Sequence, residues 1–343
     1  MGDKALIAMS GGVDSSVAAY LMKQRGFECI GATMKLHHET DESDDAQRVA
    51  ESLGIPFFAV DFSADFQKEV IGRFVEAYIN GATPNPCIDC NREIKFKKLF
   101  GWATRQNIER VATGHYAQIE RDGASGRHIL KKAADCAKDQ SYVLYFMTQE
   151  QLKRAIFPLG GLHKHEVRAI AASQGFANAE KKESQDICFV PDGDYAGFIE
   201  RYTGKTYEGG DFADLFGNVL GRHKGMIRYT IGQRKGLGLA LAKPMYVRSK
   251  NAENNTITLC ENENLFTKSL DAADFNWIAR EKTSPMRIRA KTRYGQKEQW
   301  ATAEQVSKGV VHVEFDKPQR AITKGQAAVL YDGDAVVGGG TIV

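Results

Sequence analysis

The feature that most constrains this chain is the glycine-rich stretch Ser10-Gly11-Gly12-Val13-Asp14-Ser15-Ser16. It follows an apolar run at residues 5–9, which is typical of a buried strand, and it precedes residues 17–22, which favour a helix. A strand, a glycine turn and a helix in this order direct backbone N–H groups and the positive end of the helix dipole towards an anion. The sequence therefore predicts an α/β fold with a phosphate-binding site at this junction.

This glycine loop differs from two common nucleotide-binding motifs. No Lys follows its second Gly, as a P-loop requires, and it lacks the Gly-x-Gly-x-x-Gly spacing of dinucleotide-binding domains. It resembles the pyrophosphate loop of adenylating ATP pyrophosphatases, enzymes that split ATP into AMP and pyrophosphate. The alternative interpretation is a polar glycine turn that binds no ligand.

The rest of the N-terminal half repeats the strand–helix pattern. Apolar runs at residues 29–34, 56–60 and 110–113 are separated by helical patterns, which predicts a parallel sheet. A cluster of turn residues at 191–194 marks the end of this unit. We therefore predict an N-terminal domain at residues 1–193, with ligands beyond the carboxyl ends of its parallel strands.

The second half of the chain changes character. Residues 207–238 are rich in glycine, and short alternating segments then dominate residues 275–343. Evenly spaced short strands with turn signals are typical of a small β-barrel. We predict a small central mixed domain at residues 194–272 and a C-terminal β-barrel at residues 273–343.

Composition and charge limit the classes of function. The chain has 343 residues and a formal net charge of +3, which by itself is too small to indicate a nucleic-acid partner. No run approaches the ~20 apolar residues of a membrane span, and the first residues do not form a secretory signal. We therefore expect a cytoplasmic protein without a membrane partner, whose six cysteines are thiols rather than a disulfide framework.

Two cysteine motifs stand out. The stretch Asn85-Pro86-Cys87-Ile88-Asp89-Cys90-Asn91 lies between a proline-rich break and a predicted helix at residues 93–105. This spacing places Cys90 near the N-terminus of that helix, where the dipole stabilises a thiolate, and leaves Cys87 outside it. The second motif is Ser-Gln-Asp-Ile-Cys-Phe, which contains Cys188; taken alone, that cysteine is better explained as a small buried apolar side chain.

The glycine loop and the two cysteine motifs, in this order, resemble bacterial tRNA-specific 2-thiouridylases. The resemblance spans nearly the whole chain and includes Thr113-Gly114-His115-Tyr116 and residues 229–238. It implies an enzyme that adenylates the 2-oxygen of the wobble uridine in tRNA and then transfers sulfur from a cysteine persulfide. It also implies a tRNA-binding β-barrel, and as partners the wobble-uridine tRNAs for Lys, Glu and Gln and a sulfur donor such as a cysteine desulfurase or a sulfur-relay protein.

The resemblance assigns a role to each matching position. Cys90 is the expected nucleophile and Cys188 the expected carrier of the persulfide. The expected ATP-binding residues are Ala8, Met9, Ser10, Gly11, Gly12, Val13, Asp14, Ser15, Met34 and Gly114. The expected contacts of the target base and tRNA are Asn85, Pro86, Cys87, Lys138, Asp139, Gln140, Arg293 and Tyr294.

Three points about the chemistry stay open from the sequence. Many relatives carry Asp at the position of Cys87, where it is a candidate general base, and Asp89 is displaced from that position by two residues. ATP is expected with Mg²⁺, and Asp14 is either the nearby carboxylate for that ion or only a partner of the helix dipole. Cys87, Cys90 and Cys188 also fit an alternative in which three thiolates hold a [4Fe-4S] cluster.

A basic segment follows in the predicted barrel. Arg287, Arg289, Lys291 and Arg293 alternate with other residues, so a strand would place all four charges on one face. Such a row fits the phosphate backbone of tRNA, although a solvated polar face is the alternative. Since like charges in a row repel each other, we favour a binding role.

Three other functions remain in view. An amidotransferase-type synthetase with the same loop would not need Cys90 and Cys188 together. A 4-thiouridine synthetase would need a separate RNA-capture or rhodanese-like segment, which the sequence does not indicate. A non-catalytic RNA-binding protein with a relic nucleotide fold would not need an intact glycine loop.

Overall fold

Strands and helices alternate in the first part of the chain, and strands dominate after Thr203. The computed structural model describes residues 3–36, 43–181, 187–280 and 285–343. The strands are β1 (Lys4–Ala8), β2 (Glu28–Lys35), β3 (Phe57–Asp61), β4 (Arg110–Ala112), β5 (Gln118–Arg121), β6 (His128–Lys131), β7 (Ala155–Ile156), β8 (Asp211–Ala213), β9 (Val219–Arg222), β10 (Tyr246–Asn251), β11 (Thr256–Cys260), β12 (Phe266–Trp277), β13 (Met286–Lys291), β14 (Gln299–Ser307), β15 (Val310–Arg320), β16 (Ala327–Asp332) and β17 (Ala335–Ile342). The α-helices are α1 (Val13–Gln24), α2 (Ser43–Leu53), α3 (Ser63–Phe66), α4 (Arg73–Ile79), α5 (Pro86–Asp89), α6 (Phe100–Arg105), α7 (Gln149–Arg154), α8 (Lys164–Ser173) and α9 (Tyr195–Thr203).

The first sheet is parallel throughout, with the spatial order β3-β2-β1-β4-β7. Its middle strand is buried on both faces, since Leu6 packs into one core cluster and Ala5 and Ile7 pack into the cluster on the other face. An apolar run buried on both sides is typical of parallel strands covered by helices. The prediction of an α/β fold with a parallel sheet is therefore confirmed.

The strand order places a ligand crevice at one point of this sheet. The chain moves outward from β1 to β2 and β3 on one side, and β4 then returns to pair with the other side of β1. In open α/β sheets, ligands bind beyond the carboxyl ends of the strands where the order reverses. The loops after β1 and β4 meet at this point, and these loops contain the glycine loop and Gly114.

Two long helical segments change pitch within their length. Between α3 and α4 the backbone adopts a π-helix at Gln67–Gly72, and between α5 and α6 it does so at Cys90–Leu99. The residues at each junction keep right-handed helical angles, so the helix is continuous through each change. The second segment carries the cysteine motif, and widened helical turns occur often at functional sites.

The second half of the chain forms two β units. The central one is a four-stranded sheet of order β10-β11-β8-β9, packed around Phe212, Val247 and Ile257. The C-terminal one runs β12-β15-β14-β13-β16-β17 and closes because β12 also pairs with β17. The closed barrel confirms the predicted fold of this part, although β12 already begins at Phe266, before the limit at residue 273 that the sequence indicates.

Two elements differ from what the sequence indicates. The hairpin of β5 and β6 was not expected, and it joins the edge of the barrel sheet through the pair Lys131–Ala335. Residues 138–142 also predict the start of a helix, but residues 136–138 form a turn and a short 3₁₀ helix begins only at Ser141–Leu144. Among the described residues, no helix is long and apolar enough to span a membrane.

The barrel packs directly on the first domain. Asn276 donates hydrogen bonds from Nδ2 to the carbonyl oxygens of Tyr145 (2.8 Å) and Met147 (3.0 Å). The Tyr142 hydroxyl donates to the Ala327 carbonyl oxygen at 2.8 Å and is buried. These bonds satisfy backbone groups of one domain with groups of the other, so they fix the relative position of the two.

The segment after β7 packs closely against the residue that precedes β5, and a substitution tests this contact. A Cβ atom at Gly160 would lie 1.9 Å from the Ala117 carbonyl oxygen, whereas a Cβ at Gly161 would have no neighbour within 4 Å. We expect Gly160→Ala to lower the free energy of unfolding by about 1–3 kcal/mol, the usual cost of overpacking. Urea denaturation followed by circular dichroism measures this, with Gly161→Ala as the matched control; equal stability of the two variants would contradict the expectation.

Candidate active site

The glycine loop lies where the sequence places it, between β1 and α1. Gly12 precedes the helix, and no side chain caps the first turn there, so its N–H groups are not engaged by a capping residue. The backbone N–H of Ser10 donates to the Ser15 hydroxyl at 3.2 Å, and that hydroxyl donates to the Gly12 carbonyl oxygen at 2.9 Å. Gly11 has a φ of 71°, a conformation that favours glycine. The loop is thus held in shape while its amides can receive an anion.

Asp14 in the first turn of α1 has two hydrogen-bond partners that the sequence does not reveal. The Lys164 ammonium lies 2.7 Å from its Oδ1 atom, and the Tyr116 hydroxyl donates to the same oxygen at 2.8 Å. Lys164 is the first residue of α8 and its side chain is mostly buried. This pair brings a cation to the loop, which has no Lys of its own. Both bonds use Oδ1. A metal ion at Asp14 would therefore have to bind the other carboxylate oxygen, Oδ2.

Gly114 follows β4 and packs against the start of α1. A Cβ atom there would lie 2.9 Å from the Asp14 carbonyl carbon and from the Ser15 nitrogen. Only glycine allows this approach without a shift of the backbone. The structure therefore brings Gly114 together with the glycine loop, as the resemblance implies.

The segment with Cys87 and Cys90 has a different local structure from the one expected. Asn85 caps α5, because its Oδ1 accepts a hydrogen bond from the Cys87 backbone N–H at 3.1 Å, and Pro86 occupies the first helical position. A proline is tolerated there because its missing N–H would have no helical partner. Cys87 therefore lies in the first helical turn and Cys90 one turn further on. The helix therefore begins earlier than predicted: the expectation that Cys87 lies outside it is wrong, and Cys90 lies in its second turn rather than just before residue 93.

A cavity of about 310 Å³ joins the two motifs. Met9, Ser10 and Met34 line it on the side of the sheet, and Lys95 projects into it from the helical segment Cys90–Leu99. It also contains three cysteine side chains, which are those of Cys87, Cys90 and Cys188. The structure thus brings the expected nucleotide edge and the expected sulfur chemistry into one cavity. Residues 184–186 of the second cysteine motif lie outside the described residues.

Burial controls the ionisation of the three thiols. It raises the pKa of Cys87 and Cys90, and it raises the pKa of Cys188 to about 11. Although Cys87 and Cys188 retain accessible surface, protein surrounds each sulfur closely enough to disfavour the anion. The nearby Lys95 ammonium lowers the pKa of all three against this trend. The pKa of Cys90 is therefore raised, and not lowered as the sequence predicts.

All six cysteines are free thiols in this structure. Among the described residues, no three His, Cys, Asp or Glu side chains are placed to hold a metal ion together. The three cysteine side chains that line the cavity are therefore separate thiols. Lys95 and Lys164 are the residues of this region that the sequence motifs do not indicate.

A buried chain of hydrogen bonds connects the end of β4 to the cysteine helix. The His115 ring lies between the Thr113 hydroxyl at 2.7 Å from Nδ1 and the Asn91 Oδ1 atom at 3.1 Å from Nε2. Since an amide oxygen only accepts, Nε2 carries the proton and Nδ1 accepts from Thr113. Burial, together with Lys95, lowers the pKa of His115 well below 6.5, so the ring is neutral. Asn91 is the residue next to Cys90. The chain of hydrogen bonds that holds Asn91 therefore also positions Cys90.

Some residues that are expected to contact tRNA form hydrogen bonds within the protein, whereas Tyr294 is exposed. Asp139 and Gln140 hold local structure: the Asp139 carboxylate accepts from the Ser141 hydroxyl at 2.9 Å, and the Gln140 side chain accepts from the Tyr116 N–H at 2.9 Å. Tyr294 keeps an exposed ring although burial raises its pKa, with smaller effects from Asp139 and Cys87. Tyr294 of the barrel thus lies near the cavity and near Asp139.

The basic strand is only partly as expected. Arg287 and Arg289 are exposed on one face of β13, on which Lys291 also lies, while Arg293 lies beyond its end and donates to the Thr323 hydroxyl at 3.2 Å. The prediction of four charges on one strand face is therefore wrong for Arg293. Arg287 forms an ion pair with Asp316. Both guanidinium groups of β13 lie over the exposed ring of Trp300, at 5.0 Å for Arg287 and 4.8 Å for Arg289.

Comparison with known proteins gives matches along the whole chain. Family models match in chain order: the tRNA methyl transferase HUP domain at residues 3–192, the tRNA methyl transferase PRC-barrel domain at 196–261 and the Aminomethyltransferase beta-barrel domain at 267–342. The tRNA-specific 2-thiouridylase MnmA of Clostridioides difficile is 49% identical over 100% of this chain and 98% of its own length. That of Acetivibrio thermocellus is 49% identical over 99% of both chains.

One solved structure that matches is more distant in sequence. A 4-thiouridine synthetase–RNA complex with bound ATP matches with a TM-score of 0.38 and 17% identity, over 59% of this chain and 50% of that chain. A similarity of this size supports no inference about the site.

Proposed function

The chain belongs to the tRNA-specific 2-thiouridylase family, and from this premise we propose that it replaces the 2-oxygen of the wobble uridine in tRNA by sulfur at the expense of ATP. The observation that carries the proposal is the single cavity shared by the glycine loop and three thiols. The reaction needs both at one place, because a ring oxygen is a poor leaving group until it is adenylated, and sulfur must then attack the same carbon.

The glycine loop is suited to the first half of this reaction. Backbone N–H groups at the start of α1 and the hydroxyl of Ser10 would hold the phosphates of ATP, with Met34 and Gly114 next to the nucleotide. Lys164 compensates the Asp14 carboxylate through their ion pair, so this carboxylate repels the phosphates less. Mg²⁺ usually neutralises part of the charge of ATP, and Asp14 has a second carboxylate oxygen, Oδ2, to offer such an ion.

The thiols are suited to the second half. A sulfur donor, such as a cysteine desulfurase or a sulfur-relay protein, would load Cys188, which retains accessible surface at the cavity. The Cys90 thiolate then attacks the Cys188 sulfur of the persulfide. The S–S bond of the persulfide breaks, a Cys90–Cys188 disulfide forms, and hydrosulfide leaves with the electron pair. Hydrosulfide attacks C2 of the adenylated uridine and AMP departs; an external thiol reductant restores the two cysteines.

The entrance to the cavity is suited to an extruded base. Asn85 and Pro86 precede the thiols, and Tyr294 presents an exposed ring near Asp139. RNA-modifying proteins commonly stack an unpaired base on such a ring. We assign the target base to this part of the cavity and the adjoining phosphates to Lys138 and the face of β13.

The descriptions of the matching family models name tRNA methyl transfer, whereas the curated relatives are named 2-thiouridylases. The geometry favours thiolation, because methyl transfer needs neither a loop for departing pyrophosphate nor paired thiols. A three-thiolate [4Fe-4S] cluster that carries the sulfide is the alternative mechanism within thiolation.

The cysteines separate these mechanisms. We expect Cys90→Ser and Cys188→Ser to abolish 2-thiouridine formation while tRNA-dependent AMP formation continues, because oxygen activation needs no sulfur. Cys87→Ser is the matched control, and under the persulfide scheme it keeps substantial activity. The measurements are 2-thiouridine in tRNA, AMP released, and iron per chain after anaerobic purification. Loss of activity and of iron together in Cys87→Ser would support the cluster; no 2-thiouridine and no tRNA-dependent AMP from the native chain would contradict the proposed function.

The face of β13 gives a separate prediction about tRNA binding. Among the described residues Arg289 has no ion pair, whereas Arg287 is paired with Asp316. We expect Arg289→Ala to weaken binding similarly for all tRNAs and to reduce the slope of log K against log salt by about 0.7 to 0.9, the value for one phosphate contact. Arg287→Ala should have a smaller effect, because its charge is already partly compensated. An unchanged slope for Arg289→Ala in a filter-binding titration would show that this face is merely solvated.

A further inference from the structure

Lys95 is a cation within the thiol cavity to which the reaction scheme above gives no role. Its side chain lines the cavity together with Cys87, Cys90 and Cys188. It is half-buried, and no ion pair or hydrogen bond connects it to any residue in the part of the chain that the structure describes. An ammonium group that loses part of its hydration without a partner is costly, so its position calls for an anion that enters during function.

Neighbouring lysines on the same helical segment behave differently. The Lys97 ammonium lies 2.6 Å from the Glu93 carboxylate, and the Lys98 ammonium lies 2.7 Å from that of Asp65. Both therefore have an anionic partner within the fold. Lys95 differs from them in its place at the cavity rather than in its residue type.

The charges around Cys90 also indicate that Lys95 is placed to stabilise an anion in this cavity. The ionisable groups that act on it are Lys95, Cys87 and Asp89. Of these, Lys95 is the one that favours the thiolate, while burial, the Cys87 thiol and the Asp89 carboxylate disfavour it. The helix dipole contributes little, because Cys90 lies a full turn inside the helix.

We propose that the Lys95 ammonium is the counter-ion of the sulfur anions in this cavity and positions the Cys90 thiolate for its attack. The inference rests on the proposed function. Cys90 enters the step as a thiolate, and the step releases one hydrosulfide, so one negative charge is present before and after the S–S exchange. A single ammonium can therefore compensate both anions in turn. Lys95 acts through Cys90 and is a positioning residue.

The test compares neutral and charged side chains at this position. In Lys95→Met the apparent pKa of Cys90 should rise by about one unit, which is about a tenfold slower alkylation by iodoacetamide at neutral pH. Lys95→Arg keeps the charge and should keep most of the rate. Lys98→Met is the matched control and should react like the native chain. Peptide mass spectrometry follows Cys90 alone over a range of pH, and Lys95→Gln replaces Lys95→Met if the latter does not fold.

A Cys90 alkylation profile in Lys95→Met or Lys95→Gln that coincides with that of the native chain would overturn the inference. Tenfold slower thiolation with normal tRNA-dependent AMP formation would support it, because adenylation requires no sulfur anion. Alkylation needs neither ATP nor tRNA, so it reports on Lys95 independently of the reaction. Failure of the native chain to make 2-thiouridine would instead count against the proposed function.

Discussion

The buried hydrogen-bond chain from Thr113 through His115 to Asn91 is the interaction on which the geometry of the cavity depends. Thr113 and Gly114 follow β4, so this end of the chain is fixed to the parallel sheet and to the start of α1. The other end holds the residue next to Cys90. A neutral ring can serve this role because it donates at one nitrogen and accepts at the other, whereas a protonated ring would present a second donor to Thr113. Burial keeps the ring neutral.

The barrel holds the segment that precedes the cysteine helix. The Thr83 N–H donates to the Lys324 carbonyl oxygen at 3.0 Å, and the Gln326 side chain donates to the Thr83 carbonyl oxygen at 2.7 Å. These two bonds hold the chain just before α5 and therefore set the start of the cysteine helix. The domain that carries the basic face of β13 is thus connected by hydrogen bonds to the segment that carries the thiols. Under the proposed function, tRNA binding by this face and placement of the thiols would depend on the same docked arrangement.

Local motifs could be predicted from the sequence, and contacts between distant segments could not. The glycine loop, the parallel strands and the barrel follow from short patterns with a direct structural cause. The ion pair between Asp14 and Lys164 joins residues 150 positions apart, and no local pattern indicates it. Pro86 is ambiguous in sequence for a physical reason: a proline breaks a helix in its interior but is favourable at its first position, so only the cap by Asn85 distinguishes the two cases. Lys95 resembles its neighbours in sequence and differs from them only in where its ammonium lies.

The central claim is that one cavity activates the uridine oxygen and delivers sulfur to the same carbon. A direct test uses a tRNA whose wobble uridine carries ¹⁸O at the 2-position. This tRNA is incubated with the native chain, ATP and a sulfur source. The mechanism predicts that ¹⁸O appears in the phosphate of AMP, one atom for each 2-thiouridine formed, because the adenylated oxygen departs with AMP. AMP without ¹⁸O, at full formation of 2-thiouridine, would contradict it.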